Sequence, residues 1–476
     1  MTDKIYAPNI HLFAFHLRRG FTPDSPPLEV SPDWLENKYG EILKNFDIHK
    51  PVELRTDIPK ANTVNLLKEA QNNGKSFANL GKGTTPKNGN NTPIEIVAVA
   101  CPLQIEDSYA LTLNIRRPQN LDNDAVEIER LKDFNPQECF LPHYIDSRLG
   151  QTILITAFLD EQEKQQDLKS LQKKADECVC AFIHAASKSK CPTCYEAAEL
   201  FGSPIFEYRI SNEDTTDAHI LVWFFLEEAT SKKFIQRYVD FIALFLYRHK
   251  INTAYKTSRQ EHDLVYKQII EIENFLGEFK QKYGINTEDH KHGILAEPDL
   301  TELKITLKKL FTIALGYSQE IRNLEFCRNT IKINTRNYKE KVKNIQKLSE
   351  EDTSFLKSFA EKKSEVFQEQ IEADLGYFVH GSNLLDKAIA SIRGMVEIDQ
   401  AERDRSLERT IQVVGVGLGT GSLVGSAAGH IDKVYAPPGS PSFPLHPFFS
   451  SLLYSLVTAL VFGGLTWWLT RSKRRG

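Results

Sequence analysis

Short runs of β-branched and aromatic residues alternate with helical patterns through the first half of the chain. Six such runs end at turn-forming residues and predict strands at residues 10–17, 94–101, 109–115, 153–158, 205–210 and 220–226. Helical periodicity predicts helices at residues 33–46, 168–186 and 232–248. Mixed elements of this kind predict an α+β, or α/β, domain over residues 1–226, which we expect to be cytoplasmic.

Residues 74–93 are dominated by Asn, Gly, Thr and Lys, a composition that predicts a surface loop. The stretches Gly74-Lys75-Ser76 and Gly81-Lys82-Gly83-Thr84 are similar to parts of a phosphate loop. The first glycine of that motif would stand at Glu69, and no strand leads directly into the loop. The sequence therefore argues against a nucleotide site in this loop.

From residue 227 onwards the pattern is helical, which predicts a connector over residues 227–298 and a stalk over residues 299–409. Steps of three and four between apolar residues are typical of a coiled-coil seam. They occur at Leu300, Leu303, Leu307, Leu310, Ala314, Tyr317, Ile321 and Leu324. Residues 349–353 predict a break, after which a second long helix begins.

The stretch 332–347 is basic, with six Lys or Arg residues against Glu340. A solvated helix face is the commoner explanation of such a stretch. The alternative is a functional role, in which this stretch contacts an anionic ligand or lipid.

Two uncharged stretches near the C-terminus, residues 410–430 and 448–470, are each long enough for a helix across about 30 Å of hydrocarbon. Basic residues precede the first stretch and follow the second, in a tail at residues 471–476, and the loop 431–447 has little charge. The positive-inside rule then places both termini in the cytoplasm. The sequence predicts a two-pass hairpin in a lipid bilayer, of which a bacterial inner membrane is the expected one.

Small residues recur along the first of these stretches and give it a face almost without side chains. The predicted pore or helix-packing stripe consists of Gly417, Thr420, Gly421, Ser422, Gly425, Ser426 and Gly429. Because small residues let helices approach closely, the stripe predicts a homo-oligomer, with packing inside one hairpin and a simple anchor as alternatives. In an oligomer, Arg403, Arg405 and Arg409 would form charged rings at the cytoplasmic mouth.

Composition narrows the partners and the chemistry. The formal net charge is −4, so no nucleic-acid partner is expected. The seven cysteines all precede the apolar stretches, and in a cytosolic setting we expect thiols or metal ligands. Cys178, Cys180, Cys191 and Cys194 form a candidate structural zinc site, with buried free thiols as the alternative. No catalytic trio or metal-binding carboxylate pair stands out, so no enzymatic activity is expected.

This order of parts resembles the CorA-type family of divalent-cation transporters. The resemblance implies a homopentamer in which the first membrane helix lines the pore, and a divalent cation as the permeant ion. The family's Gly-Met-Asn signature is absent: Gly429 is followed by His430, and Gly394-Met395 by Val396.

We therefore expect an oligomeric ion channel or transporter gated by its cytoplasmic domain. With the signature missing, an effector pore that answers a small nucleotide in defence signalling is a close variant of this function. The alternative is a non-conducting, membrane-tethered scaffold or sensor that acts through the coiled-coil stalk.

Overall fold

The computed structural model describes residues 3–18, 32–55, 57–59, 61–73, 76–87, 91–118, 124–184, 191–210, 218–283, 297–347, 353–400 and Val457. The chain divides into two compact units. The first contains Met1–Leu264 and Glu320–Gly376, and the second contains Val265–Gln319 and Tyr377–Gly476.

An 11-stranded sheet within the described residues forms the centre of the first unit. Its strands are β1 (Lys4–Leu17), β2 (Thr63–Asn65), β3 (Ala78–Thr84), β4 (Glu95–Ala100), β5 (Leu103–Ile105), β6 (Ser108–Arg116), β7 (Ala125–Glu127), β8 (Gly150–Phe158), β9 (Cys194–Leu200), β10 (Ser203–Ile210) and β11 (Ala218–Phe225). The main path is β2-β5-β6-β1-β8-β11-β10-β9, with β3 joined through β4 to β6 and β7 joined to β1. Of the described pairings, only β8 with β11 is parallel.

The described helices are α1 (Asp33–Lys44), α2 (Lys68–Asn73), α3 (Pro142–Ile145), α4 (Leu168–Phe182), α5 (Glu228–Gln236), α6 (Tyr238–Tyr283), α7 (Glu297–Gln346), α8 (Ser354–Ser358) and α9 (Ser364–Gln400). Short 3₁₀ helices lie at Ile128–Phe134, Pro136–Glu138 and Glu163–Gln165. A π-helical turn, Phe359–Lys363, lies between α8 and α9.

Both faces of the central strands are buried because helices cover each side. Alternate residues of a strand point to opposite faces, and Leu12 and Ala14 of β1 belong to the core that includes α1 and α4. On that side Tyr39 of α1 donates its hydroxyl to the Thr112 carbonyl at 2.9 Å. Phe13 faces the opposite side, where its ring centroid lies 5.2 Å from that of Phe245 in α6.

All six predicted strands are present, and the mixed α/β class and the long helices are confirmed. The predicted surface loop at residues 74–93 is wrong in part, because it contains β3. Gly81 has a φ of 109° beside an irregularity in the β3–β4 register. A Cβ on Gly83 would lie 2.2 Å from the Phe46 carbonyl oxygen. These glycines therefore serve a bulge and a close approach within a strand, not a loop.

The transmembrane hairpin of the expected fold is not supported, and this corrects the expectation of a two-pass, integral membrane protein. No helix in the described residues is long and apolar enough to cross a membrane. The long helices carry charged residues on successive turns, as Glu365, Glu369 and Glu372 do in α9, and such residues oppose insertion into hydrocarbon. The predicted spans 410–430 and 448–470 lie outside the described residues, apart from Val457.

The predicted seam on α7 is buried in part within the single chain. Leu303, Leu310 and Tyr317 are each at most 1% exposed, and the Tyr317 hydroxyl donates to the Phe378 carbonyl at 2.7 Å within the second unit. A Cβ on Gly381 would lie 2.4 Å from the Tyr317 hydroxyl oxygen, so α9 approaches α7 closely there. Because the chain itself covers these residues, they give no support to a coiled coil between copies.

Candidate functional site

The structure does not bring the four cysteines of the zinc hypothesis together as ligands. Cys180 and Cys191 form a disulfide, which differs from the expectation of reduced thiols. Cys178 is buried two residues away on α4, and Cys194 donates to the Glu196 carbonyl at 3.4 Å. The described residues contain no group of three His, Cys, Asp or Glu side chains that could hold a metal ion.

The predicted stripe and mouth residues lie outside the residues that the structure describes. They are Gly417, Thr420, Gly421, Ser422, Gly425, Ser426 and Gly429, with Arg403, Arg405 and Arg409.

The basic stretch of the sequence becomes one side of a cavity in the first unit. Lys332, Arg336, Lys339 and Lys343 follow one another on α7 in steps of four, three and four, which places them on one side of the helix. We call these four residues the basic face. They line a cavity of about 550 Å³ together with Thr335, Glu340, Glu365 and Gln368.

A buried stripe on the same helix fixes the direction of the basic face. Tyr338, Val342 and Ile345 are at most 3% exposed and pack into the unit. The Tyr338 hydroxyl donates to the Leu356 carbonyl at 2.9 Å, and its ring centroid lies 5.3 Å from that of Phe359. This packing turns the basic face towards the first turns of α9, which contribute Glu365 and Gln368.

The basic face holds more cations than it can pair. Lys339 Nζ lies 3.2 Å from Glu365 Oε1. Lys332, Arg336 and Lys343 are exposed and form no ion pair with the residues that the structure describes. Like charges one helical turn apart repel one another, so an added anion would relieve the repulsion.

A second charged cluster lies on the sheet, where Glu207 of β10 meets two arginines. Glu207 Oε1 accepts from Arg209 Nη2 at 2.7 Å and from Arg248 Nη2 of α6. His219 Nε2 lies 3.7 Å from Glu207 Oε2. Burial alone would raise the pKa of Glu207, but Arg248, His219 and Arg209 together hold it well below its usual range. We call this cluster the Glu207 network.

The network continues into the sheet through hydrogen bonds. Thr152 Oγ1 lies 3.0 Å from His219 Nδ1 and 2.9 Å from His249 Nε2. Burial, with the nearby Arg248, lowers the pKa of His219 to about 4. Burial also holds the pKa of His249 well below its usual value. Both imidazoles are therefore neutral near pH 7.

The Glu207 network also reaches the π-helical turn. The Arg248 guanidinium carbon lies 4.5 Å from the ring centroid of Phe359, the first residue of that turn. A cavity of about 250 Å³ lies between the turn and the sheet edge and is lined in part by Tyr195, Arg209 and Lys363. A π-helical turn stores an extra residue in a helix, and such turns are frequent at functional sites.

Sequence reasoning located the basic face but missed the Glu207 network. The four basic residues are local in sequence, so their helical spacing could be read directly. Glu207 and Arg248 are 41 residues apart, and only the fold brings them together. The alternation of Glu207 and Arg209 within a predicted strand was a signal that both face the same side.

The chain matches no known protein-family model and no curated protein. The resemblance to the CorA-type family therefore stays a prediction from the order of parts.

Proposed function

We propose that the protein is a ligand-responsive regulator that binds a multiply charged anion, such as a nucleotide, on the basic face. The observation that carries the proposal is the set of three cations without an ion pair, in the described part of the chain, at a cavity of about 550 Å³. This volume falls within the ~300–1,000 Å³ that is usual for small-molecule sites.

The spacing of the charges favours an oligophosphate over a single small anion. From Lys332 to Lys343 the helix rises by about 17 Å at 1.5 Å per residue, a length that several phosphate groups would be needed to cover. Arg336 can donate two parallel hydrogen bonds to one phosphate, and the three lysines add point charges beside it. Gln368 adds a neutral amide on the α9 side.

Ligand binding would change the conformation at the start of α9. Glu365 is the acidic group that pairs with Lys339, so an anion on the basic face competes with its carboxylate. Glu365 follows the π-helical turn by two residues, and Phe359 of that turn packs against Arg248 and Tyr338. A ligand that displaces Glu365 therefore favours one arrangement of this junction over another, which is what regulation by a ligand requires.

This proposal keeps the sensing part of the expected function and leaves out conduction. The channel depended on the two membrane spans, which the described helices do not support. The proposal is of binding without catalysis. Self-association into a pentamer and the divalent cation implied by the resemblance stay predictions from sequence.

The test is isothermal titration calorimetry, in which ATP or inorganic tripolyphosphate is titrated into the full chain and the binding affinity is measured. We expect Arg336→Gln combined with Lys343→Gln to weaken both ligands about tenfold or more, because two of the four phosphate contacts lose their charge. The matched control, Lys308→Gln combined with Lys309→Gln, removes the same charge from a part of α7 that does not line the cavity. It should bind as wild type does.

Two results would contradict the proposal. Absence of saturable binding to the wild-type chain is one, and equal weakening in both double variants is the other. Tighter binding of ATP than of tripolyphosphate would support the nucleotide form of the proposal, because only ATP carries a base and a sugar.

A further inference from the structure

The described lining of the basic-face cavity provides charge but no aromatic ring. Thr335 and Gln368 are its neutral side chains, and both donate within their own helices. Thr335 Oγ1 donates to the Ile331 carbonyl at 2.7 Å, and Gln368 Nε2 donates to the Ser364 carbonyl at 3.1 Å. A nucleobase is usually bound by stacking and by hydrogen bonds to its edges. The lining therefore favours phosphate groups over a base. Its charged members are Lys332, Arg336, Lys339, Glu340, Lys343 and Glu365.

Two aromatic residues that adjoin the lining residues in sequence are engaged in packing. Tyr338 is 1% exposed and donates its hydroxyl to the Leu356 carbonyl. Phe367 stacks on Tyr255 of α6, with the ring centroids 3.8 Å apart. Neither Tyr338 nor Phe367 lines the cavity. Because Arg336 is the one guanidinium among the described lining residues, a base that stacked on it would displace a phosphate from its bidentate contact.

The cations of the basic face form a row with about one charge per helical turn. Lys332 and Lys343 stand at the ends of the row, and Arg336 and Lys339 lie between them. A linear polyphosphate carries negative charge on each phosphate, so its charges repeat along a line as the cations do. The row and such a ligand therefore match in shape as well as in sign. Pyrophosphate can contact two neighbouring cations but is too short to span the row.

We infer that the ligand of the basic face is a linear inorganic polyphosphate longer than tripolyphosphate, recognised by its charge and length and not by a base. The inference rests on the proposed function, because it names the class of anion that binds at the same site. ATP then binds through its triphosphate, as a short form of the same ligand. Glu365 competes with every such ligand for Lys339, so the response at the start of α9 does not depend on a base.

A single-stranded nucleic acid is the other linear chain of phosphates. Proteins that bind one without sequence preference combine a basic groove with aromatic rings on which successive bases stack. The described lining has the cations but not the rings, which favours the inorganic chain. An oligonucleotide therefore serves as a comparison in the experiment.

The experiment is isothermal titration calorimetry of the full chain at fixed ionic strength. The ligands are pyrophosphate, tripolyphosphate, a size-fractionated longer polyphosphate, ATP, GTP and an oligouridylate with as many phosphates as the longer polyphosphate. Affinity should rise about tenfold or more from pyrophosphate to the longer polyphosphate, because more cations of the row are engaged. ATP and GTP should bind within about threefold of each other and no tighter than tripolyphosphate. The oligouridylate should bind more weakly than the longer polyphosphate.

A double variant tests whether the ligand extends along the whole row. Lys332→Gln combined with Lys343→Gln removes both end charges, and both lysines are exposed, so folding should be unaffected. The longer polyphosphate should bind about tenfold or more weakly to this variant. Pyrophosphate should lose less than about threefold, because Arg336 and Lys339 remain. Lys308→Gln combined with Lys309→Gln is again the matched control and should leave all affinities unchanged.

The outcomes separate this inference from the proposed function. The inference is overturned if affinity does not rise with chain length, if either nucleotide binds more tightly than tripolyphosphate, or if the oligouridylate binds more tightly than the longer polyphosphate. An equal loss, or no loss, for pyrophosphate and the longer polyphosphate in the double variant also overturns it. These results leave an anion site on the basic face. Absence of saturable binding by every ligand overturns both the inference and the proposed function.

Discussion

The Glu207 network and the basic face both gather cations in the first unit, but they treat the charge differently. In the network the carboxylate is 2% exposed in its side chain and is held by Arg209 and Arg248. On the basic face the four cations line a cavity with Glu340 and Glu365, and within the described residues only Lys339 of the four is paired, with Glu365. The network is closed by partners from the chain itself, whereas the basic face is open to a partner from outside.

The two sites treat charge differently because one is buried and the other is exposed to solvent. A charge removed from water must be paired, because leaving one partner alone in the interior costs about 3–5 kcal/mol. Exposed charges are solvated, so a protein can hold several unpaired cations at little cost and use them for binding. The comparison predicts that changes in the network affect stability, and that changes on the basic face affect ligand affinity.

The largest effect is expected for Glu207→Gln. Loss of the carboxylate leaves Arg248 buried without its anionic partner, and should lower the free energy of unfolding by about 3–5 kcal/mol. The midpoint of urea denaturation measures the change, with Glu199→Gln on the exposed side of β9 as the control. If Arg336→Gln combined with Lys343→Gln destabilises the chain as much as Glu207→Gln does, the predicted difference in stability between the two sites is wrong.

Acidification should destabilise the folded chain in part through the two histidines of the Glu207 network. His219 has a folded pKa of about 4, lowered from 6.5, so between these values the unfolded chain binds the proton and the folded chain does not. The stability is complete above pH 6.5 and falls as the pH falls towards 4, by up to about 1.4 kcal/mol per pH unit for each such histidine. His249 adds to the same slope.

Urea denaturation at several pH values checks this dependence. His219→Gln should make the curve less steep between pH 6.5 and 4, because one of the titrating groups is gone. Glu207 contributes only at the acid end of this window, because its carboxyl takes up a proton in the unfolded chain near pH 4.5 while its lowered pKa keeps it ionised in the folded chain. A variant curve as steep as that of wild type would show that His219 does not titrate in this way.

Long apolar runs were the most predictable part of the fold. The runs in β1, β6, β8 and β11 are buried on both faces, so hydrophobicity alone revealed them. By contrast, β3 was not predicted, because Gly81 and Gly83 are residues typical of turns. In this strand they allow a bulge and a close contact. The disulfide between Cys180 and Cys191 was also missed, since their spacing in sequence does not determine their distance in space.

The smallest effect is expected for Glu365→Gln. The variant removes the carboxylate that competes with a bound anion for Lys339, and should tighten tripolyphosphate binding about two- to fivefold. Stability should change by less than about 1 kcal/mol, because the pair is exposed. Glu372→Gln, farther along α9, is the control and should leave affinity unchanged. Weaker binding in Glu365→Gln would mean that the carboxylate takes part in the site.

The most direct test of the central claim is hydrogen–deuterium exchange of the full chain with and without saturating ATP. The account predicts slower exchange in the peptides that carry residues 332–343 of α7, together with altered exchange at the π-helical turn and the start of α9. Exchange that changes elsewhere in the first unit but not along residues 332–343 would contradict it, because the ligand would then occupy a different site.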